Sequence, residues 1–225
     1  MRKKKVMLVF GTRPEAIKMC PLVRELKGRV DFETLVCVTG QHREMLEQVL
    51  ECFQVKPDYD LAIMEPGQTL FDITRKILDG MKPILERERP QAVLVHGDTS
   101  TAFAAGLAAF YLGVPVGHVE AGLRTYDITA PFPEEFNRQA VDSLTTWFFA
   151  PTVGAKEALL RESKNPDKIY VTGNTAIDAL QRTVRQDYTH PELVWAKEKG
   201  SRFVLLTAHR RENLGEPMLH IFRGI

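Results

Sequence analysis

The chain has 225 residues, 44% of them hydrophobic and 26% charged, and its net charge of +1 gives no reason to expect nucleic acid or an anionic membrane as a partner. No stretch is apolar for the length of a membrane span. The odd set of cysteines, Cys20, Cys37 and Cys52, lies in apolar segments without metal-type spacing, which favours reduced core thiols in a cytoplasmic protein.

Short β-rich runs alternate with helical patterns along most of the chain, which is the signature of a parallel α/β sheet of the Rossmann-like, doubly wound kind. Most of these runs are continuously apolar, as expected for strands that helices cover on both faces. Strands are predicted at residues 6–10, 34–39, 92–96, 114–119, 147–150 and 169–172.

Two helical patterns between these strands are clear. Apolar residues recur at helical spacing from Leu70 to Ile84, which predicts one amphipathic helix. Residues 99–112 are so rich in alanine that a helix there is expected to pack closely against the sheet. Asp98 or Thr99 would be the N-cap of that helix.

The pattern changes after residue 185. Residues 186–202 are polar and charged, which predicts a linker, and a new strand at 203–207 and a final helix are predicted beyond it. We therefore predict a Rossmann-like lobe over residues 1–185, a linker over 186–202 and the incomplete start of a second lobe over 203–225. The chain is expected to be a fragment, or one lobe of a two-lobed enzyme.

Three acidic residues follow predicted strands. Asp98 follows strand 92–96, Glu120 follows strand 114–119, and Glu134 comes one proline-bounded loop later. Loops at the carboxyl ends of parallel strands converge on one crevice, so these carboxylates are expected to meet there. They suggest proton transfer or the binding of substrate hydroxyl groups. Asp98 could instead be only a helix cap, whereas Glu120 lies in an apolar setting where a charge is costly without a purpose.

The loop over residues 11–15 joins the first strand to a helix whose first turn Pro14 suits, and Gly11 lets the chain turn tightly there. The N–H groups of the helix start, with Arg13 and Lys18 close by, form a natural site for a phosphate or diphosphate. A simple capped turn with a solvated arginine is the alternative. The loop contains neither G-x-G-x-x-G nor a Walker A sequence, so it does not indicate a dinucleotide or P-loop site.

Histidines mark several other strand ends. His96 and His118 end strands and are expected to be hydrogen-bonded residues of the core or residues that support the site from behind. Gln41 and His42 follow the second strand and would either contact a ligand or cap a helix. His209 precedes two arginines, and those cations would favour its neutral form, which suits proton handling or donation to phosphate. Histidine and cysteine spacing does not fit zinc, and the scattered carboxylates specify no magnesium site, so no metal is expected.

Seven separated motifs occur together and in order over essentially the whole chain. They are FGTRPEAIKM (10–19), QHR (41–43), HGDT (96–99), GHVEAGLRT (117–125), PEE (133–135), TGNT (172–175) and HRRE (209–212). In all of them the chain resembles the bacterial non-hydrolysing UDP-N-acetylglucosamine 2-epimerases.

The resemblance implies a fold of the glycosyltransferase-B type, with substrate between two Rossmann-like lobes, the second of them truncated here. It also implies interconversion of UDP-N-acetylglucosamine and UDP-N-acetylmannosamine through elimination of UDP to 2-acetamidoglucal and re-addition, without metal, nicotinamide or another cofactor. The implied partners are both UDP-sugars, UDP and a second copy of the chain in a homodimer. The product would serve cell-surface polysaccharide. The 225-residue chain by itself is expected to be inactive.

Matched motif by motif, the resemblance assigns roles to individual residues. The residues implied to be catalytic are Asp98, Glu120, Glu134 and His209. The residues implied to bind substrate are Arg13, Lys18, Asp98, Glu120, His209 and Arg210.

Some members of the family are activated by a second substrate molecule bound beside the first. The positions matching that regulatory site are Gln41, His42, Glu134 and Arg210. Glu44 and Gly67 stand where such members have glutamine and arginine, so the match to the regulatory site is incomplete.

Three other functions share parts of this pattern. A hydrolysing epimerase would have the same fold and release free N-acetylmannosamine. An inverting glycosyltransferase of the same fold would need one base and an acceptor, and a non-catalytic sensor of sugar nucleotides would need no acid–base pair. Product analysis and deuterium incorporation at C2 discriminate among them.

Overall fold

A computed structural model describes residues 3–40, 43–200, 202, 204–208 and 214–225 of the chain. The strands in these residues are β1 (Lys4–Phe10), β2 (Phe32–Val38), β3 (Tyr59–Asp60), β4 (Ala92–His96), β5 (Val116–Val119), β6 (Trp147–Ala150) and β7 (Ile169–Val171). They form one seven-stranded sheet in the order β3-β2-β1-β4-β5-β6-β7, and every neighbouring pair is parallel. The predicted Rossmann-like, doubly wound fold is confirmed.

Helices α1 (Arg13–Lys27), α2 (Arg43–Cys52), α3 (Leu70–Glu88), α4 (Ser100–Tyr111), α5 (Glu134–Leu144) and α6 (Val153–Arg161) connect the strands. Helix α7 (Thr175–Thr183) follows β7 and packs against α1. Two further helices, α8 (Pro191–Glu198) and α9 (Glu216–Arg223), come later in the chain. Within the described ranges, no helix has both the length and the apolar character needed to cross a membrane.

The core has two halves, one on each face of the sheet. Leu8 and Phe10 of β1 pack with α1 and α2, whereas Met7 and Val9 of the same strand pack with α3 and α4. Successive side chains of a strand point to opposite faces, so both sets are buried only when helices cover both faces. This explains why the strands read as unbroken apolar runs.

The strand order places a switch point between β1 and β4. From β1 the chain runs outward through β2 to β3, then returns to β4 on the other side of β1 and continues to β7. In doubly wound sheets, ligands bind outside the carboxyl ends of the strands at such a point. The loops after β1, β4 and β5 are therefore brought together at the expected place.

The predicted strands agree closely with those observed. The ranges 92–96 and 147–150 coincide with β4 and β6, and the ranges predicted for β1, β2, β5 and β7 differ by one or two residues at one or both ends. The two-residue strand β3 was not predicted, because two residues are too short to show a pattern. Thr99 is the N-cap of α4, since its Oγ1 accepts the N–H of Ala102 at 3.0 Å.

The chain divides into two units, Met1–Thr183 and Val184–Ile225. The range 186–202, predicted as a linker, contains the helix α8. The strand predicted at 203–207 was wrong for its described residues, because residues 204–208 have no regular secondary structure. A strand needs a neighbour to pair with, and the described part of this second unit offers none. Val204 and Leu205 are 79% and 84% exposed.

Candidate active site

A cavity of about 240 Å³ lies at the carboxyl ends of β1, β4 and β5. A larger cavity of about 380 Å³ between α1 and the sheet is almost wholly apolar. The smaller one instead joins polar side chains from three loops, which makes it the stronger candidate for chemistry. Its lining residues are Thr12, Pro14, Glu15, Lys18, His96, Gly97, Asp98, Thr99, Glu120, Leu123 and Arg138.

The loop after β1 is organised around Glu15, which is only 2% exposed. Its Oε2 accepts the N–H groups of Gly11 and Thr12 at 3.0 and 2.7 Å, and its Oε1 accepts the Thr99 hydroxyl at 2.7 Å. Glu15 therefore caps its own helix and ties this loop to the one after β4. Gly11 is required for space, because a Cβ there would lie 1.9 Å from Thr39 Oγ1.

The predicted anion site at the start of α1 is partly occupied by the protein itself. Two of the N–H groups that could bind phosphate already donate to the Glu15 carboxylate. The exposed Arg13 side chain remains, and no acidic partner lies within 4.0 Å of it among the described residues. Phosphate binding by this loop therefore stays a prediction, and it would depend on the side chain of Arg13.

Glu120 lies directly after β5 with a left-handed backbone, φ +69°. A non-glycine residue in this region is strained, and such residues are frequent at functional sites. Lys18 Nζ donates to both of its carboxylate oxygens, at 2.8 and 2.6 Å, and Asn174 Nδ2 donates to Oε1 at 3.2 Å. His96 Nε2 lies 2.8 Å from Oε2, although the angle of approach falls short of a hydrogen bond.

These nitrogen atoms determine the pKa of Glu120. Burial alone would raise the pKa, but the close contact with His96 and the ammonium group of Lys18 outweigh it and lower the pKa to about 2. The carboxylate is therefore firmly ionised near neutral pH. An ionised carboxylate at the edge of a cavity can act as a general base, provided that a lone pair becomes available.

Asp98 has the opposite environment. Its side chain is 32% exposed and accepts a bond from Arg138 Nη1 at 2.8 Å, but Arg138 also binds Glu135 at 2.8 Å. Burial raises the pKa of Asp98 despite this arginine, and the negative charges of Glu134 and Glu120 raise it further. Arg138 lowers the pKa of Asp98, but the effect of burial is larger.

The two consecutive glutamates of the PEE motif have different roles. Glu134 is the first residue of α5, is half-buried, and is close enough to raise the pKa of Asp98. Glu135 is fully buried and accepts bonds from Arg138, Gln139 and the N–H of Tyr126. Glu135 is therefore a structural anchor, and Glu134 is the one whose charge reaches the cavity.

His118 is the hydrogen-bonded core residue that the sequence predicted. Its Nδ1 lies 2.6 Å from Asp142 and its Nε2 lies 2.8 Å from the carbonyl oxygen of Gly97. Arg124 Nη2 also binds Asp142 at 2.7 Å. The charges of His118 and Arg124 outweigh burial and lower the pKa of Asp142. This network fixes the backbone of Gly97, directly before Asp98.

The structure brings together four of the predicted site residues and leaves others outside its description. Asp98, Glu120 and Lys18 line the cavity, with Glu134 beside Asp98. Outside the described residues lie Gln41, His42, His209 and Arg210. Their roles, and the regulatory site, stay predictions. Across the described ranges, no group of three histidine, cysteine or acidic residues could hold a metal.

Sequence reasoning missed three residues that shape the site. Glu15 lies in the FGTRPEAIKM motif and Asn174 in the TGNT motif. The buried carboxylate of Glu15 and the amide of Asn174, which donates a hydrogen bond, could have identified them. Arg138 stands three residues after Glu135, a helical spacing that suggests a pair. His96 was expected in the core or as support for the site, and it is buried and borders the cavity. No local sequence pattern predicts the contacts that these residues make between loops.

Comparison with known proteins finds relatives over the whole chain. The model of the family described as UDP-N-acetylglucosamine 2-epimerase matches residues 24–225. The UDP-N-acetylglucosamine 2-epimerase of Bacillus subtilis (strain 168) is 56% identical over 225 residues, which are 100% of this chain and 59% of that protein. The chain thus spans less than two thirds of the length of this relative.

Solved structures are similar as well. The UDP-GlcNAc 2-epimerase from Neisseria meningitidis, bound to UDP-GlcNAc, is 56% identical with a TM-score of 0.76, covering 79% of this chain and 48% of that one. The S. aureus MnaA structure solved with UDP is 53% identical with a TM-score of 0.87, covering 97% of this chain and 57% of that one.

Proposed function

Because the chain belongs to the UDP-N-acetylglucosamine 2-epimerase family, we propose that the intact protein interconverts UDP-N-acetylglucosamine and UDP-N-acetylmannosamine without hydrolysing either. The observation that carries this proposal is the pair of carboxylates at one cavity, Asp98 and Glu120, with their pKa values displaced in opposite directions. Two groups of different proton affinity are what removal and return of one proton require.

The reaction proceeds by elimination and re-addition. The proton on C2 of the sugar is not next to a carbonyl group, so its direct removal would leave an unstabilised carbanion. When a base takes this proton, a C1–C2 double bond forms and the C1–O bond breaks, with its electron pair going to the diphosphate of UDP. The 2-acetamidoglucal then accepts a proton at C2 on its other face, while the diphosphate oxygen bonds to C1 again.

The two carboxylates divide the proton transfers between them. Glu120, held ionised, accepts the proton on one face, and Asp98, whose pKa is raised, is the better donor on the other. The reverse reaction exchanges their roles. Glu134 supports the protonated form of Asp98 through its negative charge.

Cations stabilise the departing UDP. Arg13 and Lys18 extend from α1, and Arg13 is exposed. The resemblance adds His209 and Arg210, whose positions lie outside the described residues. Charge on the diphosphate oxygen develops as the C1–O bond breaks, so fixed cations stabilise the transition state more than the ground state. Arg13→Ala should therefore weaken both nucleotide-sugar binding and turnover.

The test is incubation of the intact protein with UDP-N-acetylglucosamine in deuterium oxide, followed by proton NMR at C2. The two UDP-sugars should interconvert to equilibrium, and both should carry deuterium at C2. Free N-acetylmannosamine would indicate a hydrolysing enzyme, and sugar transferred to an acceptor would indicate a glycosyltransferase. Absence of C2 exchange in an intact, UDP-binding protein would overturn the proposal.

A homodimer is the proposed assembly, and one exposed face supports it. Phe71 of α3 and Phe132 are 88% and 67% exposed, and both line one surface cavity. Large exposed apolar groups that lie close together are typical of protein interfaces. Phe71→Ser should shift the intact protein toward monomer in sedimentation velocity, whereas Val30→Ser, at a residue 86% exposed on the loop before β2, should leave the mass unchanged.

We place the enzyme in the cytoplasm, where both the nucleotide sugars and free thiols belong. The cysteines are free, and burial raises the pKa of Cys20 and of Cys37 to about 12. Such thiols are unreactive and need no oxidising compartment.

A further inference from the structure

Nitrogen atoms lie against both oxygens of the Glu120 carboxylate. Lys18 Nζ donates to both oxygens, at 2.8 and 2.6 Å. Asn174 Nδ2 also donates to Oε1 at 3.2 Å, and His96 Nε2 lies 2.8 Å from Oε2 without completing a hydrogen bond. A carboxylate offers about four acceptor sites, so three of them are filled and His96 lies close to the remaining one.

A carboxylate held in this way is a poor acceptor of a proton from carbon. The ammonium group of Lys18 contacts both oxygens, and His96 Nε2 crowds the remaining side of Oε2. If Glu120 is the base, departure of one of these partners would free an oxygen to remove the C2 proton.

Lys18 is the partner best able to move. His96 is 5% exposed at the end of β4, and the Asn174 side chain is held by the N–H of Ala176 on its Oδ1 at 2.9 Å. Lys18 is 25% exposed and reaches Glu120 only through its flexible four-carbon chain. An ammonium group is also the partner that a diphosphate attracts most strongly.

We propose that Lys18 blocks Glu120 in the free enzyme and is drawn away by the diphosphate of the substrate, so that Glu120 becomes a base only when UDP-sugar is bound. This inference rests on the proposed function and adds a substrate-controlled step to it. Once Lys18 has moved, Glu120 takes the C2 proton. The electron pair of the C1–O bond then goes to the diphosphate oxygen, whose growing charge Lys18 neutralises.

The other charged groups around Glu120 act in a consistent direction. Asp98, on the loop after β4, repels the Glu120 carboxylate by like charge and favours protonation of Glu120 once the ammonium group has left, while Glu134 on α5 acts on Asp98. Arg138 on α5 is bound to Asp98 and Glu135 instead. Within the described residues, His96 is then the remaining close nitrogen that can carry a charge.

The experiment is a carbon-13 NMR titration of the Glu120 carboxyl group in the intact protein, without UDP and at saturating UDP. An opposite charge at this distance shifts a pKa by about 1–3 units, so UDP should raise the pKa of Glu120 by about that amount. A pKa that UDP leaves unchanged in the wild-type protein would overturn the proposal without any variant.

UDP could raise the pKa of Glu120 by drawing Lys18 away or through its own negative charge. Lys18→Met distinguishes these two effects. In this variant, the pKa of Glu120 should already be raised without UDP, and saturating UDP should shift it less than in the wild type. Equal UDP-induced shifts in both proteins would contradict the proposal. Lys82→Met, at an exposed lysine on α3, is the matched control and should titrate like the wild type.

Deuterium exchange at C2, measured on the same wild-type sample with UDP-N-acetylglucosamine, keeps the two proposals apart. Exchange together with a UDP-insensitive Glu120 would overturn the blocking role of Lys18 and leave the epimerase proposal standing. A UDP-sensitive Glu120 without exchange would support the movement of Lys18 and overturn the epimerase reaction.

Discussion

The loops after β4 and β5 lie side by side at one edge of the sheet, and each carries one carboxylate in an opposite environment. Asp98, after β4, shares the guanidinium group of Arg138 with Glu135, and burial raises the pKa of Asp98. Glu120, after β5, is surrounded by nitrogen atoms from three other elements, Lys18 among them, and its pKa is lowered to about 2.

A position at a strand end brings a carboxylate to the cavity but does not set its proton affinity. The proton affinity is set by the partners that distant elements supply. Lys18 lies 102 residues from Glu120 in sequence, and Asn174 lies 54 residues away. Two equivalent positions on neighbouring strands can therefore supply an acid and a base.

The largest expected effect is on turnover. Glu120→Gln keeps the shape of the side chain but cannot take a proton, and general acid–base groups typically contribute about 10²–10⁴ in rate. The turnover number should fall by at least about 100-fold, while UDP affinity changes by less than about tenfold. Steady-state kinetics and calorimetric UDP binding check this in the intact protein. C2 exchange at the wild-type rate in the variant would mean that Glu120 transfers no proton.

The environment of Asp98 depends on Arg138. Arg138→Met leaves the fully buried Glu135 without its cation, and breaking a buried ion pair destabilises a protein by about 3–5 kcal/mol. Urea denaturation should reveal this loss. Arg75→Met, which removes an exposed pair with Asp79, is the control and should leave the midpoint nearly unchanged. Similar midpoints for both variants would show that the buried arginine is not structurally important.

The pH dependence of stability should differ in sign between the two carboxylates. Glu120 has a folded pKa below its usual 4.5, so it stabilises the protein above pH 4.5, and this contribution is lost as pH falls toward 2. Asp98 has a folded pKa above its usual 3.8, so the ionised form is disfavoured, and it reduces stability as pH rises through 3.8.

Urea denaturation between pH 3 and pH 7 tests this difference in sign. Glu120→Gln should lose stability relative to the wild type at pH 7, by on the order of 3 kcal/mol at most, and approach it at acidic pH. Asp98→Asn should gain relative stability as pH rises above 3.8. Two variants that change in the same direction would contradict the assignment of opposite environments.

Weakening the link between the loops after β1 and β4 should have a smaller effect on stability than the changes above. Glu15→Gln keeps the size of the side chain but weakens its bonds to two backbone N–H groups and to Thr99, with an expected loss of about 1–2 kcal/mol. Because the same bonds hold α1 against the loop after β4, turnover should fall as well. Asp72→Asn, in the exposed capping box of α3, should affect stability less and turnover not at all.

Much of the fold followed from the sequence. Apolar runs located six of the seven strands, and the alanine-rich segment gave α4 with its cap at Thr99. The two-residue β3 was missed because it has no pattern to recognise. The strand predicted at 203–207 failed for its described residues, because an apolar run becomes a strand only beside a partner.

The sequence alone placed Asp98 and Glu120 at the cavity, since parallel strands end at one edge and place the residues that follow them there. It also placed Lys18 near the start of the first helix, and motif resemblance assigned Lys18 to substrate binding. Tertiary structure alone decided which carboxylate is held ionised. That depends on Coulomb interactions over a few ångströms between residues far apart in sequence, such as Arg138 with Asp98 at 2.8 Å, and no local pattern records them.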